Sequence, residues 1–192
     1  MNRCRHMSIV LVVLLSLTTV RSKSVSGEDN VENPTYTAWS KFKPKTSVKY
    51  KNTNKIKVMG NDFTSESDLI MTLTEVTPDK VVVETGTVTR INGQEIKTSP
   101  TKQEYHRMIP LKPGQKKENV GKPDGVLEEG QEKIKVAAGE YATTWHKSKV
   151  EDRVLQSWVT DAVPGTLVKT VTTLGGQTSG TNILELVQVT LP

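Results

Sequence analysis

The chain has 192 residues, a net charge of +5 and a single cysteine. This length suffices for one domain with its own hydrophobic core. One cysteine excludes a disulfide framework, and the modest charge gives no warrant for a strongly basic nucleic-acid-binding protein.

The first 26 residues have the layout of a secretory signal peptide. Arg3 and Arg5 precede the apolar run Met7–Val20, which is too short to span a bilayer comfortably, and a stretch of small residues follows. We expect cleavage after Ser22 or Ser26. Residues 27–192 are then predicted to form a single antiparallel β domain.

All charged residues that cleavage removes are basic, so the net charge of the mature domain falls to +2 or +1. Cys4 precedes the apolar run, whereas a lipid-modified cysteine would follow it. We therefore expect a secreted or periplasmic protein of the bacterial envelope, without a stable membrane anchor after cleavage and without nucleic acid as a partner.

The mature chain begins with the one helix that the sequence predicts, at Tyr36–Lys43 before Pro44. From Ser47 to Val58, apolar side chains occupy even positions and lysines occupy odd positions, so one face of a strand is expected to be buried and the other wet.

Gly60-Asn61 is predicted to form the two-residue loop of a hairpin. This loop would place Val48 opposite Leu73 and Tyr50 opposite Met71 on the inner side of the hairpin. It would also place Lys55 opposite Glu66 on the outer side.

Further turns follow at Thr77–Lys80 and at Asn92-Gly93, the second of which would pair Arg90 with Glu95. The segment Ser99–Glu132 contains four prolines and four glycines, and it is predicted to be mostly a long loop or lid. Strands resume after it and end with Ile183–Leu191, which is expected to be buried on both faces.

These patterns predict a mainly β fold: a curved antiparallel sheet of about 8–10 strands, either a half-barrel or an open barrel. One short N-terminal helix and one long Pro/Gly-rich loop complete the expected fold.

A resemblance lies in the stretch that contains Ala138-Gly139, Trp145, Trp158-Val159, Val163-Pro164-Gly165 and Val168-Lys169. This combination of strands and turns resembles a pattern in uncharacterised exported bacterial β-proteins. It is similar, more distantly, to the half-barrel of outer-membrane lipoprotein carriers. The resemblance covers about sixty residues and implies a fold rather than an activity.

Catalytic motifs are not evident in the sequence. His106 and His146 are the only histidines after the leader, and Ser157 lacks the sequence context of a known nucleophile. No zinc or calcium ligand spacing and no phosphate-binding glycine loop occurs, so we expect neither a metal nor a cofactor. The expectation is a protein that is not an enzyme.

Three classes of function remain as hypotheses. The first is a non-enzymatic binding module that holds a lipid or another apolar or amphiphilic ligand on the curved sheet, and the candidate contacts are Tyr50, Met71, Leu73 and Trp145. The second is a structural or interaction protein that binds an anionic envelope polymer. The third, for which the sequence gives the least support, is a hydrolase.

The second hypothesis depends on four alternating lysines, which we call the lysine stripe: Lys49, Lys51, Lys55 and Lys57. Such a stripe could meet an anionic surface. The more ordinary interpretation is that it forms the wet side of an edge strand, where lysines discourage aggregation between sheets.

Overall fold

The computed structural model describes residues 30–192, apart from residues 59, 92, 93, 113, 122–124, 176 and 177. The predicted leader and its cleavage points, as well as the Asn92-Gly93 turn, lie outside the described residues. Among the described residues, no helix is long and apolar enough to cross a membrane.

The fold is mainly β, with one short α-helix, as the sequence predicted. The helix is α1 (Pro34–Ser40), and a single 3₁₀ turn lies at Lys117–Asn119. The strands are β1 (Asn30–Glu32), β2 (Ser47–Val58), β3 (Asn61–Val76), β4 (Lys80–Ile91), β5 (Gln94–Lys97), β6 (Thr101–His106), β7 (Met108–Pro110), β8 (Val126–Val136), β9 (Gly139–Val150), β10 (Arg153–Val159), β11 (Leu167–Leu174) and β12 (Thr178–Thr190).

Ten of these strands form one antiparallel sheet. Nine of them follow the order β5-β4-β3-β2-β12-β11-β10-β9-β8, and the tenth, β6, pairs with β4 on the same side as β5 but farther toward the start of β4. Strands β1 and β7 form a separate pair. The sheet is not closed into a barrel. It nevertheless curls, because the edge strand β8 contacts β12, which would lie roughly 19 Å away in a flat sheet.

The hairpin of β2 and β3 has a different register from the predicted one. Val48 lies opposite Met71, Tyr50 opposite Leu69, and Lys55 opposite Thr64, so the two-residue loop is 59–60 rather than Gly60-Asn61. The second loop position suits Gly60, whose φ is +85°. A shift of two residues leaves every side chain on its predicted face, which is why the hydrophobic pattern did not exclude the wrong register.

The Pro/Gly-rich segment is more regular than predicted. Strands β6 and β7 and the first half of β8 lie within Ser99–Glu132, and the irregular part is confined to the chain between β7 and β8. The side chains of these strands are mostly exposed. They therefore lack the apolar alternation by which buried strands are recognised.

Two other expectations are corrected, namely the start of the helix and the burial of the last strand. The helix begins earlier than predicted because Asn33 caps it, accepting a hydrogen bond from the Thr35 amide at 3.0 Å, and Pro34 occupies its first turn. Strand β12 buries Leu186 completely, whereas Ile183 and Val187 are only partly buried. The last strand is thus covered fully on one face only.

The core lies between the sheet and α1. Trp39 of the helix and Leu73, Val83 and Leu186 of the sheet are fully or almost fully buried there. The loop after β10 joins this core through the buried side chains of Val163 and Pro164. Its Gly165 packs so closely on the Trp39 indole that a Cβ atom would come within 3.1 Å of the ring.

Candidate functional site

The ten-stranded sheet has two faces of different chemistry. Residues directly opposite each other on neighbouring strands share a face. We call the face that carries Tyr50 and Leu186 the inner face, and the face that carries Lys51 and Glu185 the outer face. The core packs on the inner face.

The outer face carries a ladder of ion pairs. Asp68 binds both Lys49, at 2.9 Å, and Arg90, at 3.0 Å, and Arg90 also binds Glu95 at 3.1 Å. Lys51 contacts Glu66 at 3.0 Å. Farther along the same face, Lys169 and Glu185 are paired at 2.9 Å.

Asp68 is the most enclosed acid of this ladder, and it is only 6% exposed. Burial alone would raise the pKa of its carboxyl group. Hydrogen bonds from Lys49 and Arg90, together with their charges, outweigh that effect and lower the pKa below its ordinary value. The carboxylate is therefore held in its charged form by two cations.

This ladder divides the lysine stripe. Lys49 and Lys51, in the first half of β2, are bound to acids of β3. Lys55 and Lys57, near the hairpin tip, form no ion pair with any described residue. Only the second pair therefore retains cations that are available to a partner.

The four residues predicted to contact a ligand are not brought together. Tyr50, Met71 and Leu73 belong to or pack against the core, where Tyr50 is 2% exposed and Leu73 is 0% exposed. The Tyr50 hydroxyl donates to the Leu167 carbonyl oxygen at 3.0 Å. Burial, with a smaller contribution from Tyr141, raises the pKa of this hydroxyl.

Trp145 lies on the opposite face. It stands opposite Trp158, which is aligned with Lys169, Glu185 and Lys51 of the outer face. Its indole covers Gly130, where a Cβ atom would come within 2.9 Å of the ring. The Trp158 indole N–H donates to Glu132. The two tryptophans are therefore packed against β8.

Beyond the core, the inner face is uncharged and mostly polar across the centre of the sheet, and Leu184 and Leu155 are its apolar members. One row of opposed positions runs from β3 to β9, and the next row lies two residues farther along each strand. Asn182 donates from Nδ2 to Oδ1 of Asn52 at 2.8 Å and so links the two rows. The first row contains Ser67, Asn52, Leu184, Thr170, Ser157 and His146, and the second contains Ser65, Asn54, Asn182, Thr172, Leu155 and Ser148.

The first row ends at an open cavity of about 770 Å³. Strands β8 and β9, the end of β10 and the following loop form its walls. Most of its lining side chains are polar: Gln131, Glu132, Lys133, Ala142, Thr143, Thr144, His146, Val159, Thr160, Asp161 and Thr166.

The loop that closes one side of the cavity holds a strained residue. Thr166 has a φ of +65°, which is unusual for a β-branched side chain and costs about 1–3 kcal/mol. Its backbone is fixed by hydrogen bonds to Val163 and Thr160, both 2.8 Å long. The buried Val163 and Pro164 anchor this loop, so Thr160, Asp161 and Thr166 are presented on a rigid support.

His146 is at the junction of the cavity and the rows. Its Nδ1 atom is buried without a hydrogen-bond partner among the described residues. A Glu129 carboxylate oxygen lies 3.4 Å away but lacks the geometry of a hydrogen bond. His106, in contrast, is exposed at the end of β6, near the other end of the strand order.

The register also brings Ser157 opposite His146, and His146 opposite Glu129. The sequence could not indicate this row, because its residues come from three strands without a local motif. It has the residue types of a hydrolase triad, but no hydrogen bond joins His146 to Ser157 among the described contacts.

Neither the comparison with protein-family models nor the comparison with curated proteins finds a match to this chain. Among the residues that the structure describes, no three His, Cys, Asp or Glu side chains are grouped so that they could hold a metal ion.

Proposed function

We propose that this protein is an exported, non-enzymatic binding module of the bacterial envelope that holds an amphiphilic ligand on the inner face of its sheet. The observation that carries the proposal is the open cavity of about 770 Å³, because His146 in its lining is also the end of the first polar row. The leader pattern of the first 26 residues supports export.

An apolar row supports the amphiphilic character of the ligand. On the inner face, beyond the polar rows, the opposed positions across six strands are apolar or glycine except at Arg153: Phe63, Ile56, Gly180, Leu174, Arg153 and Val150. Phe63 is 54% exposed and Val150 is 58% exposed. The uninterrupted part from Phe63 to Leu174 spans roughly 14 Å, which is long enough for part of an extended apolar chain.

The site in this proposal differs from the predicted one. Tyr50, Met71 and Leu73 pack in or against the hydrophobic core, where they stabilise the sheet. The cavity and the two polar rows provide the contacts instead. Trp145 belongs to the outer face and is not part of this site.

Binding of an anionic envelope polymer by the whole lysine stripe has less support, since Lys49 and Lys51 already bind acids of their own sheet. Hydrolysis remains the enzymatic alternative, and the row of Glu129, His146 and Ser157 is the observation that favours it. The two functions are separated by Ser157→Ala, with p-nitrophenyl acetate as the substrate. We expect no esterase activity above the buffer rate in either the wild type or the variant.

Native mass spectrometry of the protein purified from the envelope of its own host tests the proposal. We expect a non-covalent adduct that is released when the collision energy is raised. An empty protein under all gentle conditions would overturn the binding function. Esterase activity that is lost in a folded Ser157→Ala variant would overturn the non-enzymatic assignment.

A further inference from the structure

We infer that the polar part of the ligand is an uncharged polyhydroxylated group, that is, a sugar, lying between the cavity and the amide and hydroxyl rows of the inner face. This inference rests on the proposed binding function and names the chemical class of its ligand. The sugar would belong either to a glycan chain or to the head group of a glycolipid.

The charged groups around the cavity already have partners. Asp161 lies 3.4 Å from Lys41, and Lys133 lies 3.8 Å from Glu140. Glu132 accepts the indole N–H of Trp158. The uncharged polar side chains left for a ligand are Thr144, Thr160, Thr166, Gln131 and His146, since the Thr143 hydroxyl donates to the Glu132 carbonyl oxygen.

The rows that leave the cavity are also neutral. From β3 to β10, neither row contains a Lys, Arg, Asp or Glu side chain at the described positions. An anionic ligand confined to these two rows would lose its hydration without meeting a cation of either row, and such desolvation is costly. A neutral ligand avoids that cost.

Amides and hydroxyls match the chemistry of a sugar. Each hydroxyl both donates and accepts, and each Asn side chain offers two donors and an acceptor. The bond from Asn182 to Asn52 leaves an acceptor on Asn182 and donors on Asn52 for further bonds.

The apolar row that contains Phe63 and Ile56 can cover the C–H face of a sugar ring or the chain of a glycolipid. Gly180 lies between Ile56 and Leu174 in this row, and a Cβ atom there would come within 2.4 Å of the Lys55 carbonyl oxygen. A small cavity of about 340 Å³ beside Phe63 is lined by this glycine and Ile56 together with Lys55, Lys57 and Asp62.

Isothermal titration calorimetry tests the inference with four probes: maltohexaose, chitohexaose, hexagalacturonate and decyl maltoside. We expect at least one neutral probe to bind and hexagalacturonate to bind more weakly or not at all. The double variant Asn52→Leu with Asn182→Leu should weaken neutral binding about tenfold or more, because several hydrogen bonds are lost. Thr170→Val, which removes one hydroxyl without changing the shape, should weaken it less.

The matched control is Lys51→Gln with Glu185→Gln, a pair of opposed positions on the outer face of the same strands. It should change the affinity for the neutral probe by less than about twofold. If only decyl maltoside binds, and Phe63→Ser weakens it, the sugar belongs to a glycolipid head group. Binding of a free hexasaccharide indicates a glycan chain.

Tighter binding of hexagalacturonate than of every neutral probe would overturn the sugar assignment. The sugar assignment would also be overturned if none of the four probes bound to a protein that carries an adduct in native mass spectrometry. In that case the proposed binding function would still stand. An equal loss of affinity in the control and in the asparagine variant would show that the inner face is not the site.

Discussion

Successive residues of β2 point into two different environments. On the outer face, Lys49 and Lys51 are bound to Asp68 and Glu66, so the charges are satisfied within the sheet. On the inner face, Tyr50 is buried and Asn52 is hydrogen-bonded to Asn182. The difference shows that Lys49 and Lys51 neutralise acids of their own sheet, whereas the uncharged amide of Asn52 belongs to the polar row that leads to the cavity.

The largest effect that separates the two faces is expected at Tyr50. Tyr50→Lys should lower the free energy of unfolding by about 2–4 kcal/mol, because it buries an unpaired charge in the core. Its neighbour provides the control: Lys51→Gln should cost no more than about 0.5 kcal/mol. Chemical denaturation of the two variants measures this difference, and similar losses would contradict the assignment of the faces.

Asp68 provides the next effect, since it is the enclosed member of the outer ladder. Asp68→Asn should lower the free energy of unfolding by about 1.5–3 kcal/mol at pH 7, because hydrogen bonds between charged groups are lost. Glu66→Gln, which alters only the exposed pair with Lys51, is the control and should have a smaller effect.

The same substitution should change how stability depends on pH. The pKa of Asp68 is lower in the folded state, so its contribution is present above the unfolded pKa of about 4 and is lost as the pH falls through the folded value. Denaturation measured between pH 7 and pH 2.5 should therefore show a steeper loss of stability in the wild type than in Asp68→Asn. Parallel curves would be evidence against this role of Asp68.

Thr166 offers a smaller effect, which has the opposite sign. Thr166→Gly should raise the free energy of unfolding by about 1 kcal/mol, because relief of the strained φ exceeds the entropy cost of glycine. It should also weaken binding to the cavity, because a hydroxyl is lost. Lower stability, measured by thermal and chemical denaturation, would show that the backbone there is not strained.

The smallest effects on the fold are expected from the two halves of the lysine stripe. Lys55→Gln with Lys57→Gln should leave stability unchanged within about 0.5 kcal/mol, whereas Lys49→Gln with Lys51→Gln should reduce it more. If an anionic polymer such as hexagalacturonate is bound weakly, only the first pair should weaken that binding. Equal contributions from both halves would contradict the division of the stripe.

Part of the fold could be predicted because alternation in β2 reports which residues share a face. The pairing of Arg90 with Glu95 was also predicted correctly, because the two residues before Gln94 are a strong hairpin signal. The register of β2 and β3 was not predicted correctly, since a two-residue shift preserves the alternation of apolar and polar side chains. Strands such as β6 were missed because their exposed side chains are polar on both faces.

The site was harder to predict than the fold. Asn52 and Asn182 are 130 residues apart, and they meet only because the last strand is inserted beside β2. Trp145 was predicted to contact the same ligand as Tyr50. Whether the two residues share a face of the sheet depends on the registers of the four strand pairs between them. Local patterns contain no information about those registers.

The most direct test of the division between the two faces is an NMR titration with a neutral hexasaccharide and, separately, with hexagalacturonate. The side-chain amide signals of Asn52, Asn54 and Asn182 report on the inner face, and the ammonium signals of Lys49 and Lys51 report on the outer face. We expect chitohexaose or maltohexaose to shift the asparagine signals and to leave the lysine signals in place. Shifts of the lysine signals by hexagalacturonate, with no change at the three asparagines in either titration, would contradict a ligand site on the inner face.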